Sequence, residues 1–120
     1  MSGGIFMRLS KELIKGSTSF LVLSVIGEQD MYGYQIIREI ELRSEQVFSL
    51  NEGTLYPILH SLEKEKLLSC YWQESETGRK RKYYRITDKG ARELANKRSE
   101  WQRYTSAVAR VTGGAALANG

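Results

Sequence analysis

From Gly78 to Arg85 the chain runs Gly78-Arg79-Lys80-Arg81-Lys82-Tyr83-Tyr84-Arg85: five cations, two tyrosines and no acid. Cations at that density suit phosphate, whose charge supplies most of a protein's sequence-independent affinity for DNA. A run of like charge is usually no more than a solvated face. Here it sits in a hairpin that follows compact helical patterns, and tyrosines interleave with it. Phosphate contact through Arg79, Lys80, Arg81 and Lys82 is therefore the stronger reading. A second polar set lies upstream, where Thr54, Tyr56, His60 and Lys64 occupy the side of a helix opposite Leu55, Leu59 and Leu62. Short or planar groups there can reach base edges or thymine methyls. Tyr34, Asn51 and Pro57 complete the candidate DNA contacts. Tyr56 could equally pack beneath the hairpin, and a lone histidine such as His60 is more often an ordinary surface residue.

Counting excludes other chemistry. One cysteine, Cys70, and one histidine, His60, cannot form a tetrahedral zinc site or an intrachain disulfide. There is no Ser/His/Asp set, no metal-ligand spacing and no phosphate-cradling glycine loop, so neither catalysis nor a cofactor is expected. The strongest apolar run, residues 20–26, has only seven residues and Ser24 interrupts it, too short for a membrane span. Residues 1–4 lack the charged and apolar regions of a signal peptide. A soluble, cytoplasmic protein is expected.

A length of 120 residues fits one domain. The excess of 18 basic over 14 acidic side chains, a net charge of +4, says little by itself. Its distribution says more. Glu39, Glu41, Glu45 and Glu52 outnumber Arg43 in the middle of the chain, whereas the hairpin is purely basic.

The elements that must carry these groups follow from apolar spacing. Residues 11–27 read as a helix with Leu13, Ser17, Phe20, Leu21 and Ser24 on one stripe, widened by Leu23, Val25 and Ile26. A second helix, residues 34–45, turns Ile36, Ile37 and Ile40 to the core. Asn51 is a suitable N-cap for a third helix, in which Leu55, Leu59 and Leu62 are buried and Ile58 lies beside them. Pro57 lies deep enough in it to predict a local distortion. Residues 67–74 and 81–86 read as one hairpin, with its turn at 75–80. Asp88 is expected to cap a fourth helix reaching about residue 111. Its apolar positions show a heptad, with Leu94, Trp101 and Val108 at one position and Lys97, Tyr104 and Val111 at the other.

Four blocks in order make a resemblance specific. They are Tyr32-Gly33-Tyr34-Gln35-Ile36, then Glu52-Gly53-Thr54-Leu55-Tyr56-Pro57-Ile58-Leu59, then Leu62-Glu63-Lys64-Glu65-Lys66-Leu67-Leu68. The last runs from Gly78-Arg79 through Lys82-Tyr83-Tyr84-Arg85-Ile86-Thr87-Asp88-Lys89-Gly90. Over roughly residues 10–111 the chain resembles PadR-like transcriptional regulators, and Leu13 to Gly16 resembles their opening helix. Two departures stand out: Lys66 replaces a glycine common in the family, and Lys80 stands where proline is frequent.

The fold expected is mainly α with a small β-hairpin: a winged helix-turn-helix plus a long C-terminal dimerisation helix. Its segments are a flexible start at 1–8, the DNA-binding domain at 9–87, the dimerisation helix at 88–112 and a flexible tail at 113–120. The resemblance implies a homodimeric regulator of the short subfamily, usually a repressor, which binds double-stranded DNA at a pseudo-palindromic operator. Some such regulators hold a planar aromatic ligand between subunits against a tryptophan of the last helix, and Trp101 falls at that place. Leu13, Ser17, Leu94, Lys97, Trp101, Tyr104 and Val108 are the expected ligand or dimer interface. Burial in a dimer core alone also explains a tryptophan at this heptad position. The alternative function is a winged helix that docks protein without reading DNA.

Overall fold

The computed structural model describes residues 11–114, with side chains from Ser17 onward. Leu13, residues 1–8 and the last six residues of the tail therefore lie outside the described side chains. The elements run α1 (Lys11–Ile26), β1 (Met31–Tyr32), α2 (Gly33–Arg43), α3 (Glu52–Lys64), β2 (Leu68–Glu74), β3 (Lys80–Ile86) and α4 (Asp88–Thr112). The three strands form an antiparallel sheet in the order β1-β3-β2.

Helix α1 is buried on more than one side, because Val22, Leu23, Val25 and Ile26 are all shielded from solvent although they point in different directions. Around it pack Ile36 and Ile40 of α2, Leu55, Leu59 and Leu62 of α3, and Tyr84 of β3. This is the amphipathic arrangement that three short helices need to share one core. Asn51 caps α3, its Oδ1 accepting from the Thr54 amide at 2.9 Å. The helix then continues through Pro57 to Lys64 without interruption. Proline cannot donate to the carbonyl of Gly53 four residues earlier, so that oxygen loses its ordinary helical donor.

Two details differ from the sequence reading. Strand β1 was not expected; it is two residues long, too short to leave an alternating pattern, and pairs Met31 with Tyr84 and Tyr32 with Tyr83. The N-cap of α4 is Thr87, not Asp88: its side chain accepts from the Gly90 amide at 2.9 Å and its Oγ1 donates to the Lys66 carbonyl at 2.7 Å. Asp88 instead occupies the first turn, where an acid complements the helix dipole.

Helix α4 has a very close contact at its start. A Cβ on Gly90 would collide with the Leu67 carbonyl oxygen and lie 2.8 Å from Ile86 Cγ1, so only glycine lets this turn seat against the strand ends. Further along, Leu94 is buried in the core of its own chain, only 5% exposed and packed close to Gly27 at the end of α1. Its own chain thus covers the side chain that was expected at a dimer seam. The heptad begins inside the protomer, and the apolar positions after it emerge into solvent.

Candidate nucleic-acid interface

The exposed face of α3 is built by its buried one. With Leu55, Leu59 and Leu62 fixed in the core, helical spacing leaves Thr54, Tyr56, Pro57, His60 and Lys64 outside, and all five are exposed. Asn51, at the end of this face, is also exposed while its side chain caps the helix. Tyr34 projects from the first turn of α2 and is 61% exposed. Tyr56 joins these two helices. A Cβ on Gly33 would stand 2.5 Å from the Tyr56 hydroxyl, so Gly33 makes room for that ring at the start of α2. Tyr56 thus packs against α2, and nearly half of its surface stays open.

The hairpin after α3 is closed by a tight turn. The Gly78 amide donates to the Ser75 carbonyl at 2.9 Å, and Ser75 N–H to the Arg79 carbonyl at 2.7 Å. Gly78 has φ 85°, a left-handed conformation that glycine adopts at no steric cost. Arg79 lies in this turn and Lys80 opens β3, both exposed.

Strand alternation then divides the remaining cations. Lys80, Lys82 and Tyr84 share the face turned to α3, whereas Arg81, Tyr83 and Arg85 share the other. On the outer face three tyrosines lie in one cross-strand row: Tyr83 stacks on Tyr71 at 5.6 Å and meets Tyr32 edge-on at 5.5 Å. Arg81 lies 4.5 Å over the Tyr32 ring, and Arg85 lies 4.8 Å over Tyr71 while pairing with Asp30 at 3.2 Å. On the inner face Lys82 Nζ lies 3.6 Å from Glu63 Oε1. The four cations expected to act together therefore differ. Arg79 and Lys80 reach into solvent, and Arg81 and Lys82 are half-buried against partners of their own chain.

Sequence reasoning left out Trp72. It pairs with Lys82 across the hairpin and is 65% exposed, an indole standing on the wing face nearest α3. Its alternation with Cys70 carried that orientation, but nothing in the sequence indicated that the strand ran past the core at that point.

Beyond Leu94, helix α4 carries Trp101, Tyr104, Val108 and Val111, exposed by 44, 60, 41 and 87%. Phe20 of α1 approaches Trp101 at 6.1 Å, and Trp101 approaches Tyr104 at 5.9 Å. These rings, with Lys97 and Arg110, line an open hollow beside the helix. Lys97 is half-buried there, and Ser17 is half-buried on α1.

Three helices, a basic hairpin closing onto a third strand, and a long trailing helix define a winged helix-turn-helix protein. Comparison with known proteins gives the same answer in more detail. The sequence profile described as the transcriptional regulator PadR-like family matches residues 22–96, and the chain belongs to that family. It is a DNA-binding regulator of transcription and not an enzyme. An uncharacterised protein of Lysinibacillus sphaericus is 39% identical over 90 residues, covering 75% of this chain and 83% of its own. The crystal structure of a PadR-like transcriptional regulator from Bacillus cereus is similar with a TM-score of 0.76 and 30% identity, over 85% of this chain and 97% of that one. A Streptococcus mutans structure gives 0.74 and 38%, over 92% and 95%. Among the described residues, no helix is long and apolar enough to cross a membrane.

Proposed function

We propose that the protein is a homodimeric, sequence-specific repressor that acts in the cytoplasm on double-stranded DNA. Helix α3 enters the major groove, with Thr54, Tyr56, Pro57 and His60 toward base edges and Lys64 and Asn51 toward the backbone. Tyr34 joins them from α2, and Arg79 and Lys80 hold phosphates from the wing. The observation that carries this reading is the exposed face of α3 beside two uncommitted cations of the wing. Two such units related by a two-fold axis would read half-sites about one helical turn, roughly 34 Å, apart.

Dimerisation is supported by the apolar stripe of α4, which the protomer leaves open. The hollow of Phe20, Trp101 and Tyr104 suits a planar aromatic ligand, flanked by cations for an anionic substituent. Such a ligand would release DNA only by binding the DNA-incompetent dimer more tightly than the competent one.

Selection from a random duplex pool tests the reading. The expected product is a pseudo-palindrome bound by two chains, and replacement of Trp101 by Ala should weaken capture of planar aromatic dyes at least about ten-fold. Enrichment of no sequence would contradict DNA reading and favour a protein-docking winged helix.

A further inference from the structure

Lys82 belongs by composition to the phosphate-binding run, yet its surroundings give it another partner. Its ammonium lies 3.6 Å from Glu63 Oε1 and 5.4 Å over the ring of Tyr84, itself a core residue. The second oxygen of Glu63, Oε2, accepts the thiol of Cys70 at 3.1 Å. Cys70 and Tyr84 are cross-strand partners. One carboxylate at the end of α3 thus touches both strands of the wing, β2 through Cys70 and β3 through Lys82.

We infer that Glu63, Lys82 and Cys70 form a brace that sets the angle of the wing to α3, which makes Lys82 a positioning residue. The inference rests on the DNA-reading function proposed above. Two surfaces that must meet one rigid duplex need a fixed mutual orientation, since misplacement by about 1 Å loosens a site. An acid beside DNA is repelled by phosphate, so its presence on α3 calls for a structural return. The Lys82 charge cancels that repulsion, and the thiol holds the oxygen that Lys82 leaves.

The brace and plain electrostatics make opposite predictions. Removing the Glu63 charge should tighten binding to every duplex if the carboxylate only repels phosphate. If it braces the wing, Glu63→Gln should lower the preference for the selected operator over a scrambled duplex by about five-fold, a coupling typical of neighbouring residues. Lys82→Met should lower the same preference and leave the slope of log affinity against log salt unchanged. Lys80→Met should flatten that slope by about one unit, as loss of a phosphate contact does. Lys82→Arg should restore most of the preference.

A second readout needs no DNA. The hydrogen bond from Cys70 to Glu63, and then burial, raise the thiol pKa above its ordinary value. Glu63→Gln should therefore speed alkylation of Cys70 by iodoacetamide at about pH 8, below the free-thiol pKa of ~8.5. A flattened slope for Lys82→Met, tighter binding of both duplexes by Glu63→Gln, or unchanged alkylation would each overturn the brace. Absence of salt-dependent binding in the unmodified protein would instead remove the DNA reading, and the alkylation rate alone would then decide the brace.

Discussion

At the residue scale, two helix ends are closed by backbone amides of non-glycine residues held in a conformation that favours glycine. After α2, Glu45 donates to Leu42 and Gln46 to Glu41, with φ of 51° and 69°. After α3, Lys66 donates to the Glu63 carbonyl and Leu67 to the Leu62 carbonyl, with Lys66 at φ 65°. Both are Schellman closures, whose left-handed residue is usually glycine. A left-handed residue with a Cβ costs about 1–2 kcal/mol, and glycine's own entropy takes back part of that. Lys66→Gly is therefore expected to raise unfolding stability by about 0.5–1 kcal/mol in denaturant titrations; a loss would contradict the strain. The opposite change at Gly90 should cost more, because the obstacle is the Leu67 carbonyl and not a flexible side chain. Gly90→Ala should destabilise by about 2–3 kcal/mol, as overpacking against fixed neighbours does. Lys66 was legible as a departure from the family's glycine, though its backbone angle was not. The separation of Lys80 from Lys82 was not legible, because the acid that engages Lys82 comes from another element.

At the element scale, α4 has two halves with different work. Its first turns are tied to the domain by Thr87, Gly90 and Leu94, and its later turns present Trp101, Tyr104, Val108 and Val111 to solvent. A helix of 25 residues spans about 37 Å, long enough to pair along a partner's helix well outside the core. Tyr104→Glu with Val108→Glu should abolish the dimer in sedimentation while leaving the melting transition of the winged domain in place. Dimers that persist would place the contact elsewhere. Helix α3 was readable because cap, apolar spacing and exposed face all agree: Asn51, then Leu55, Leu59 and Leu62. The hairpin was readable from its turn glycine and alternation. Strand β1 was not, since its identity depends on β3 arriving beside it. The heptad of α4 was readable as a period, but sequence could not tell that Leu94 is consumed within the chain.

At the scale of the whole molecule, one shared core sets every distance that matters for DNA. It holds α3 by its leucines, the wing by Tyr84 and the start of α4 by Leu94; in the dimer proposed here, a displacement of α4 would pass through that core to α3 and the wing. Neutralising Arg79 and Lys80 together should lower affinity for all duplexes alike and flatten the salt slope by about two units, without changing operator choice. A loss confined to the operator would contradict their assignment to phosphate. The measurement that tests the central claim most directly is the affinity of the unmodified protein for its selected operator and for a scrambled duplex, each across a range of salt. Tight operator binding, with both affinities falling steeply as salt rises and the scrambled duplex at least about a thousand-fold weaker, is expected. Equal affinity for both duplexes, or affinity indifferent to salt, would contradict it.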